Sequence, residues 1–158
     1  MIRISAALTI ALFCFTSCVG GENDPLSACA GTSAALKEGP SFVGLNCRGV
    51  NLAGADLRGV DFRGAVLSGV NLKEADLQDA NLQDANLQEA DLRGANLQYA
   101  ILNGVNLREA DLWGANLYMS QLQATNLEDA WLDEANLTGV KYDDATIWPK
   151  GFAPPPSS

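Results

Sequence analysis

The sequence predicts an all-β solenoid, a chain that winds around its own core in short extended sides and stacks by parallel pairing. Three observations carry this. From Val50 the chain counts in fives for 100 residues, as 20 consecutive units such as Ala80-Asn81-Leu82-Gln83-Asp84. The central residue is Leu in 17 of the 20, with Phe62, Tyr142 and Ile147 in the others. Two residues before it stands Ala in 13 units and Val in 5, with Ser120 and Thr125 in the other two, and Asn or Asp lies between in 14.

The period excludes the ordinary elements. Five residues advance an α-helix by about 500°, so successive leucines would point in every direction. Five is odd, so in a continuous strand the leucines would alternate between faces. The pattern works only if the chain turns once per unit. Ala and Leu, two apart, then share the inner face of a short extended segment. The Asn or Asp between them points outward, and the last two positions, rich in Gly, Gln, Asp and Glu, form a corner. Such coils stack, and each covers only its neighbours. Spacing alone does not choose the number of sides, because Asn86, Asn96, Asn106, Asn116, Asn126 and Asn136 also fit a period of ten.

The unit A-(D/N)-L-x-x resembles that of the pentapeptide repeat family, over residues 41–152. The resemblance implies a right-handed quadrilateral parallel β-helix with 20 residues per coil. Twenty units then make about five coils, a rod about 24 Å long at strand spacing. Phe42 and Cys47 fall in phase with the central leucines, as a partial coil before the first full one.

The chain opens on a delivery signal. Residues 1–17 place Arg3 before an uncharged apolar run from Ala6 to Phe15, short of the roughly 20 residues a membrane span needs and of signal-peptide type. Phe15-Thr16-Ser17-Cys18 resembles a bacterial lipobox, which implies a lipidated Cys18 as mature N-terminus. Cleavage after Gly21, giving a secreted protein, and an uncleaved anchor are the alternatives. Val19 after the cysteine resembles outer-membrane sorting in a cell with two membranes. Residues 18–40 are expected to be a tether followed by a short helical cap, with Ser33 at its start and Gly39 past its end. Cys47 stands where other units have Leu. It is either a small buried thiol or half of a disulfide with Cys29 that ties the cap to the first coil, worth about 3 kcal/mol for a loop of about 19 residues. At the other end Trp148 and Phe152 are expected to cover the last coil, and residues 153–158 to form a disordered tail.

Composition narrows the function. The chain has no histidine, hence no histidine base, metal ligand or nucleophile activator. Leucines fill the coil, so no pocket is expected, and no catalytic residue, cofactor or metal site is assigned. Net charge is −9, against nucleic-acid binding through phosphates. The charge is uneven. Residues 19–73 are balanced, five acids against five bases, whereas residues 74–144 carry 14 acids against Arg93, Arg108 and Lys141. Glu89, Glu109 and Asp129 fall in one column of a 20-residue coil, read as a solvated face. Tyr99, Trp113, Tyr118, Met119 and Trp131 all take outward positions, and a compact apolar group there marks a partner surface. The reading is a non-catalytic envelope scaffold or protein-binding module, anchored through lipid at Cys18, with an unidentified protein partner or a second copy of itself. The alternative is a DNA-mimicking inhibitor of a type II topoisomerase, as described for some members of the family, which the acidic half permits and a cytosolic location would require.

Overall fold

The computed structural model of the chain describes residues 41–156. The candidate signal 1–17, Cys18, Cys29, and the tether and helical cap expected over 18–40 lie outside the described residues.

From Ser41 to Lys141 one local structure recurs every five residues: a bridge residue, an inward residue, a two-residue corner and a second inward residue. Of 18 parallel bridges, 17 join residues 20 apart, from Ser41–Asp61 to Gln121–Lys141. Four bridge positions therefore fall in each turn of the chain, giving a parallel β-helix with four sides. Numbered from Ser41, side 1 carries Asp61 and Asn81, side 2 Asn46 and Val66, side 3 Asn51, Asn71, Asp91, Asp111 and Trp131, and side 4 Asp56, Asp76, Asn96, Asn116 and Asn136. Each side is too short for a continuous strand. Its pairing is one residue wide: the Asn71 amide donates to Val50 O at 2.9 Å, and Asn71 O accepts from the Leu52 amide at 2.7 Å.

The corner explains the period. The Ala55 amide donates to Leu52 O at 3.1 Å, closing a four-residue turn. Its third residue is left-handed: every fifth residue from Gly44 to Gly139 has φ between 54° and 70°, the conformation a type II turn requires there. Asparagine suits the bridge position because it can also hold the corner. The Ala53 amide donates to Asn51 Oδ1 at 3.2 Å and the Lys73 amide to Asn71 Oδ1 at 3.1 Å. Stacked Asx side chains also join coils, Asn96 Nδ2 donating to Asp76 Oδ1 at 2.8 Å.

Inside, the Leu and Ala columns are buried along most of the coil, with Phe62 in the leucine position and the Phe42 ring tilted against it at 5.4 Å. Thr125, buried in an alanine position, donates its hydroxyl to Leu102 O at 2.7 Å, as a polar group in such a place must. Cys47 is buried and disulfide-bonded, and its partner lies outside the described residues.

The ladder departs from the sequence count at its end. Ile147 was expected at an inward, leucine-type position. The last bridge instead joins Asn126 to Ile147, 21 residues apart, leaving Ile147 outward and half exposed, with Thr146 buried in the alanine-type place the count gives to Ala145. The extra residue sits in the corner at Asp143–Ala145. There Asp143 Oδ1 accepts from the amides of Ala124 and Ala145 and from the Thr146 hydroxyl, side-chain bonds added to a backbone turn that the Thr146 amide closes on Asp143 O at 3.1 Å. Trp148 meets Tyr142 edge-on at 5.2 Å and stacks on Phe152 at 5.4 Å. The tail, expected to be loose from residue 153, is tied at Pro155, whose carbonyl accepts from the Tyr142 hydroxyl at 2.7 Å.

Candidate partner surface

On a rod whose interior is filled with leucine, any binding must use what points outward. In the N-terminal and middle coils part of that surface is self-satisfied. Arg58 makes two 2.7 Å bonds to Asp56, and Arg63 grips Asp61 and Arg93 grips Asp91 in the same forked way. The pairs stand two residues apart, where the bridge residue and the first corner residue lean together. The Arg63 guanidinium holds the Asp61 carboxyl below its ordinary range, and Arg93 does the same for Asp91, both against the weaker opposing effect of partial burial. Asp143 is also lowered, chiefly by the Ala124 amide.

The large apolar side chains lie further along. Trp131 is 65% exposed, Trp113 49%, Tyr99 47% and Met119 41%, while Tyr118 is half-buried. They form two groups. Tyr99 and Met119 occupy the same corner position in successive coils, after side 4, and Tyr118 meets Tyr99 edge-on with ring centres 5.7 Å apart. Trp131 is the bridge residue of side 3, in the place Asn usually takes, and Trp113 follows that side on the coil before. The two tryptophans are joined through backbone, not through their rings. Leu112 donates to Trp131 O at 2.9 Å, next to Trp113. Side 4, with Asn116 outward, separates the tryptophans from the tyrosine corner. The five residues singled out in the sequence thus share one end of the rod but not one contiguous contact.

Two open hollows meet at Trp131. One, of about 520 Å³, is lined by Ala130, Leu132, Asp133 and the returning segment Pro149–Phe152. The other, of about 560 Å³, is lined by Glu109, Asp111 and Asp129. Glu109 and Asp129, placed in one column by the sequence, therefore border the same hollow, together with Asp111 and a tryptophan from the neighbouring side. This grouping was not legible in the linear sequence, although the 20-residue offset, once fixed, places Asp111 directly over Trp131. Among the described residues no group of three or more His, Cys, Asp or Glu could hold a metal ion, and no helix is long and apolar enough to cross a membrane.

Comparison with known proteins places the repeats. A family model for pentapeptide repeats matches in eight copies over residues 46–84 and 85–120. A pentapeptide repeat protein, Rfr23, from the cyanobacterium Cyanothece is 34% identical, over 68% of this chain and 90% of its own, with a TM-score of 0.46. HetL from the cyanobacterium Nostoc, a pentapeptide repeat protein involved in heterocyst differentiation regulation, is 32% identical over 68% of this chain and 55% of its own, with a TM-score of 0.42. QnrB1, a plasmid-mediated fluoroquinolone resistance protein, in a trypsin-treated form, is 20% identical over 69% of this chain and 65% of its own, with a TM-score of 0.49. No curated protein sequence matches the chain.

Proposed function

The chain belongs to the pentapeptide repeat family, whose members form right-handed β-helices and serve generally as structural or binding modules; from that premise we propose that it is a non-catalytic, protein-binding rod of about five coils in the cell envelope, held to a membrane through lipidated Cys18. The observation that carries the binding role is Trp131. An indole that is 65% exposed gains nothing from the coil interior, and it replaces an Asn that would have closed the corner beside it. Exposed aromatic side chains of this kind anchor protein interfaces. The anchoring rests on the sequence 1–18, with its positive start, apolar run and terminal cysteine. Several acyl chains on one cysteine would exceed the single chain that gives only marginal membrane binding. Within the same reading, Cys29 is the partner of Cys47 and fastens the N-terminal cap to the first coil.

A second reading, a DNA-mimicking topoisomerase inhibitor, is favoured by the acidity of residues 74–144. One experiment separates the two. Cells producing the chain are fractionated after labelling with a fatty acid. Label on the wild type that disappears in Cys18→Ser, with the variant leaving the membrane fraction, supports the envelope module. An unlabelled, uncleaved chain in the cytosol overturns it and leaves the mimic standing. For the surface, Trp113→Ala with Trp131→Ala is expected to weaken association with the partner by about 2 kcal/mol or more and to leave Tm nearly unchanged. A lowered Tm would instead mean that the chain's own N-terminal segment covers the tryptophans.

A further inference from the structure

The parallel ladder stops unevenly. Along most of the rod a leucine amide, the corner amide two residues later and the carbonyl of the preceding Ala all bond to the next coil. Leu112 and Gly114 donate to Trp131 O and Asp133 O, and Ala110 O accepts from the Trp131 amide. The equivalent groups one coil further are the Leu132 and Glu134 amides and Ala130 O. None of the three makes a hydrogen bond within the described chain, because residues 149–152 turn on themselves, with the Phe152 amide on Pro149 O at 3.0 Å, instead of continuing the ladder. The aromatic cap of Tyr142, Trp148 and Phe152 therefore leaves side 3 as an open β-edge. The 520 Å³ hollow lies along this edge, between Ala130–Asp133 and Pro149–Phe152.

We infer that this edge, Ala130–Glu134, takes up an extended segment of a partner protein, and that the segment carries an apolar–basic–apolar triplet. This rests on the protein-binding reading above and names the chemistry of its partner. Two donors and one acceptor spaced along one side are what strand addition uses for affinity, while side-chain pockets at alternate positions give selectivity. The register follows from the ladder. A residue added in the column of Asp91, Asp111 and Trp131 stacks against the Trp131 indole. Its two neighbours point inward, toward Ala130 and Leu132, which line the hollow opposite Pro149–Phe152.

Charge decides the identity of the middle residue. Around Trp131 the two hollows present Asp133, Glu109, Asp111 and Asp129, against Lys150 alone on the rim. Arg108 engages Glu109 at 3.2 Å and Arg93 lies 3.6 Å from Asp111, whereas Asp129 and Asp133 have no ion pair among the described residues. A lysine or arginine laid on the indole between those two carboxylates gains cation–π attraction and charge pairing together. An acidic residue there meets repulsion.

The test uses the full chain and a short synthetic peptide with Val-Lys-Val at its centre, followed by amide exchange. The peptide is expected to bind and to slow exchange at the Leu132 and Glu134 amides. Replacing its Lys by Glu, or N-methylating that Lys so that its amide cannot donate to Ala130 O, should each weaken binding about tenfold or more. Trp131→Asn, which restores the commonest residue of that position and so should fold, should weaken it similarly. Equal binding of the Glu peptide, equal binding of the N-methylated peptide, or binding that leaves the two amides unchanged overturns the edge assignment. So does absence of binding at about millimolar peptide. If any of these results comes with a double tryptophan variant that still loses its cellular partner, the binding-module reading survives and edge pairing alone falls.

Discussion

The rod has two halves that share a backbone and differ in much of what points outward. Through residue 73 every left-handed corner is a glycine, from Gly44 to Gly69. Bases outnumber acids there, Arg48, Arg58, Arg63 and Lys73 against Asp56 and Asp61, and Arg58 and Arg63 fold back on neighbouring aspartates. Beyond it the next four corners are Glu74, Asp79, Asp84 and Glu89, and later ones include Tyr99, Glu109, Met119 and Ala124, all at the same positive φ. A non-glycine residue there costs on the order of 1 kcal/mol. The difference teaches that the corner is imposed by the ladder, not by the residue occupying it. From Gly44 to Met119 each corner amide is fixed to the next coil, Gly54 to Lys73 O at 2.8 Å and Glu109 to Glu128 O at 3.0 Å alike. Once the conformation is enforced from outside, the position is free to carry a carboxylate or a ring. The C-terminal half uses that freedom to build a surface.

If the two halves share one core, breaking it should not depend on where. Leu67→Asp and Leu97→Asp each put a carboxylate at a position with 1% exposure or less. Both should lose roughly 4 kcal/mol or more, from the lost packing and the unpaired buried charge. Gln98→Asp, one residue on and outward, should change stability by less than about 0.5 kcal/mol. Thermal melts in which one half tolerates the inward aspartate would show that the halves are not one cooperative body.

The corner argument predicts a smaller effect of opposite sign in the two halves. Gly54→Ala has open space for its Cβ but φ +65°, so it should lose about 1 kcal/mol to backbone strain alone. Ala124→Gly, at φ 54°, should gain a comparable or smaller amount, with the Ala124 amide bond to Asp143 kept. Urea unfolding measures both. Equal signs would show that left-handed backbone strain is not what the two substitutions read.

The smallest expected effect is at acid pH. Asp61 and Asp91, lowered by hydrogen bonds from Arg63 and Arg93, and Asp143, lowered by the Ala124 amide, all have depressed carboxyl pKa values. Each contributes stability that is present above the unfolded carboxyl value of 3.8 and is lost as pH falls through the lower folded value. Stability should therefore fall below about pH 4. Asp143→Asn should flatten that loss through the last coil and Asp61→Asn through the first ones. Melting curves between neutral pH and about pH 2 that are identical for wild type and both variants would remove these carboxyls from the account.

The local rules were legible in the sequence. A five-residue period with Ala and Leu two apart admits only a chain that turns every unit, which fixed inward and outward positions from Val50 to Val140 because a methyl and an isobutyl group must share one dry face. The outward placement of Tyr99, Trp113, Tyr118, Met119 and Trp131 followed from the same count. What the period could not decide is which residues stand over one another, because every unit looks the same to its neighbours along the chain. Only the ladder between coils, with its offset of 20, joins Asp111 to Trp131 and sets Glu109 beside Asp129. The end of the rod was likewise a tertiary decision. The unit Ala145–Pro149 reads in sequence as another repeat. Hydrogen bonds from Ala124, Ala145 and Thr146 to Asp143 instead absorb an extra residue at that corner, turning Ile147 outward and Thr146 in. The chain then rises into an aromatic cap and never returns under Ala130–Glu134. A short-range pattern specifies which way each side chain faces; where the ladder stops, and what its last edge leaves open, depends on bonds between residues about 20 positions apart.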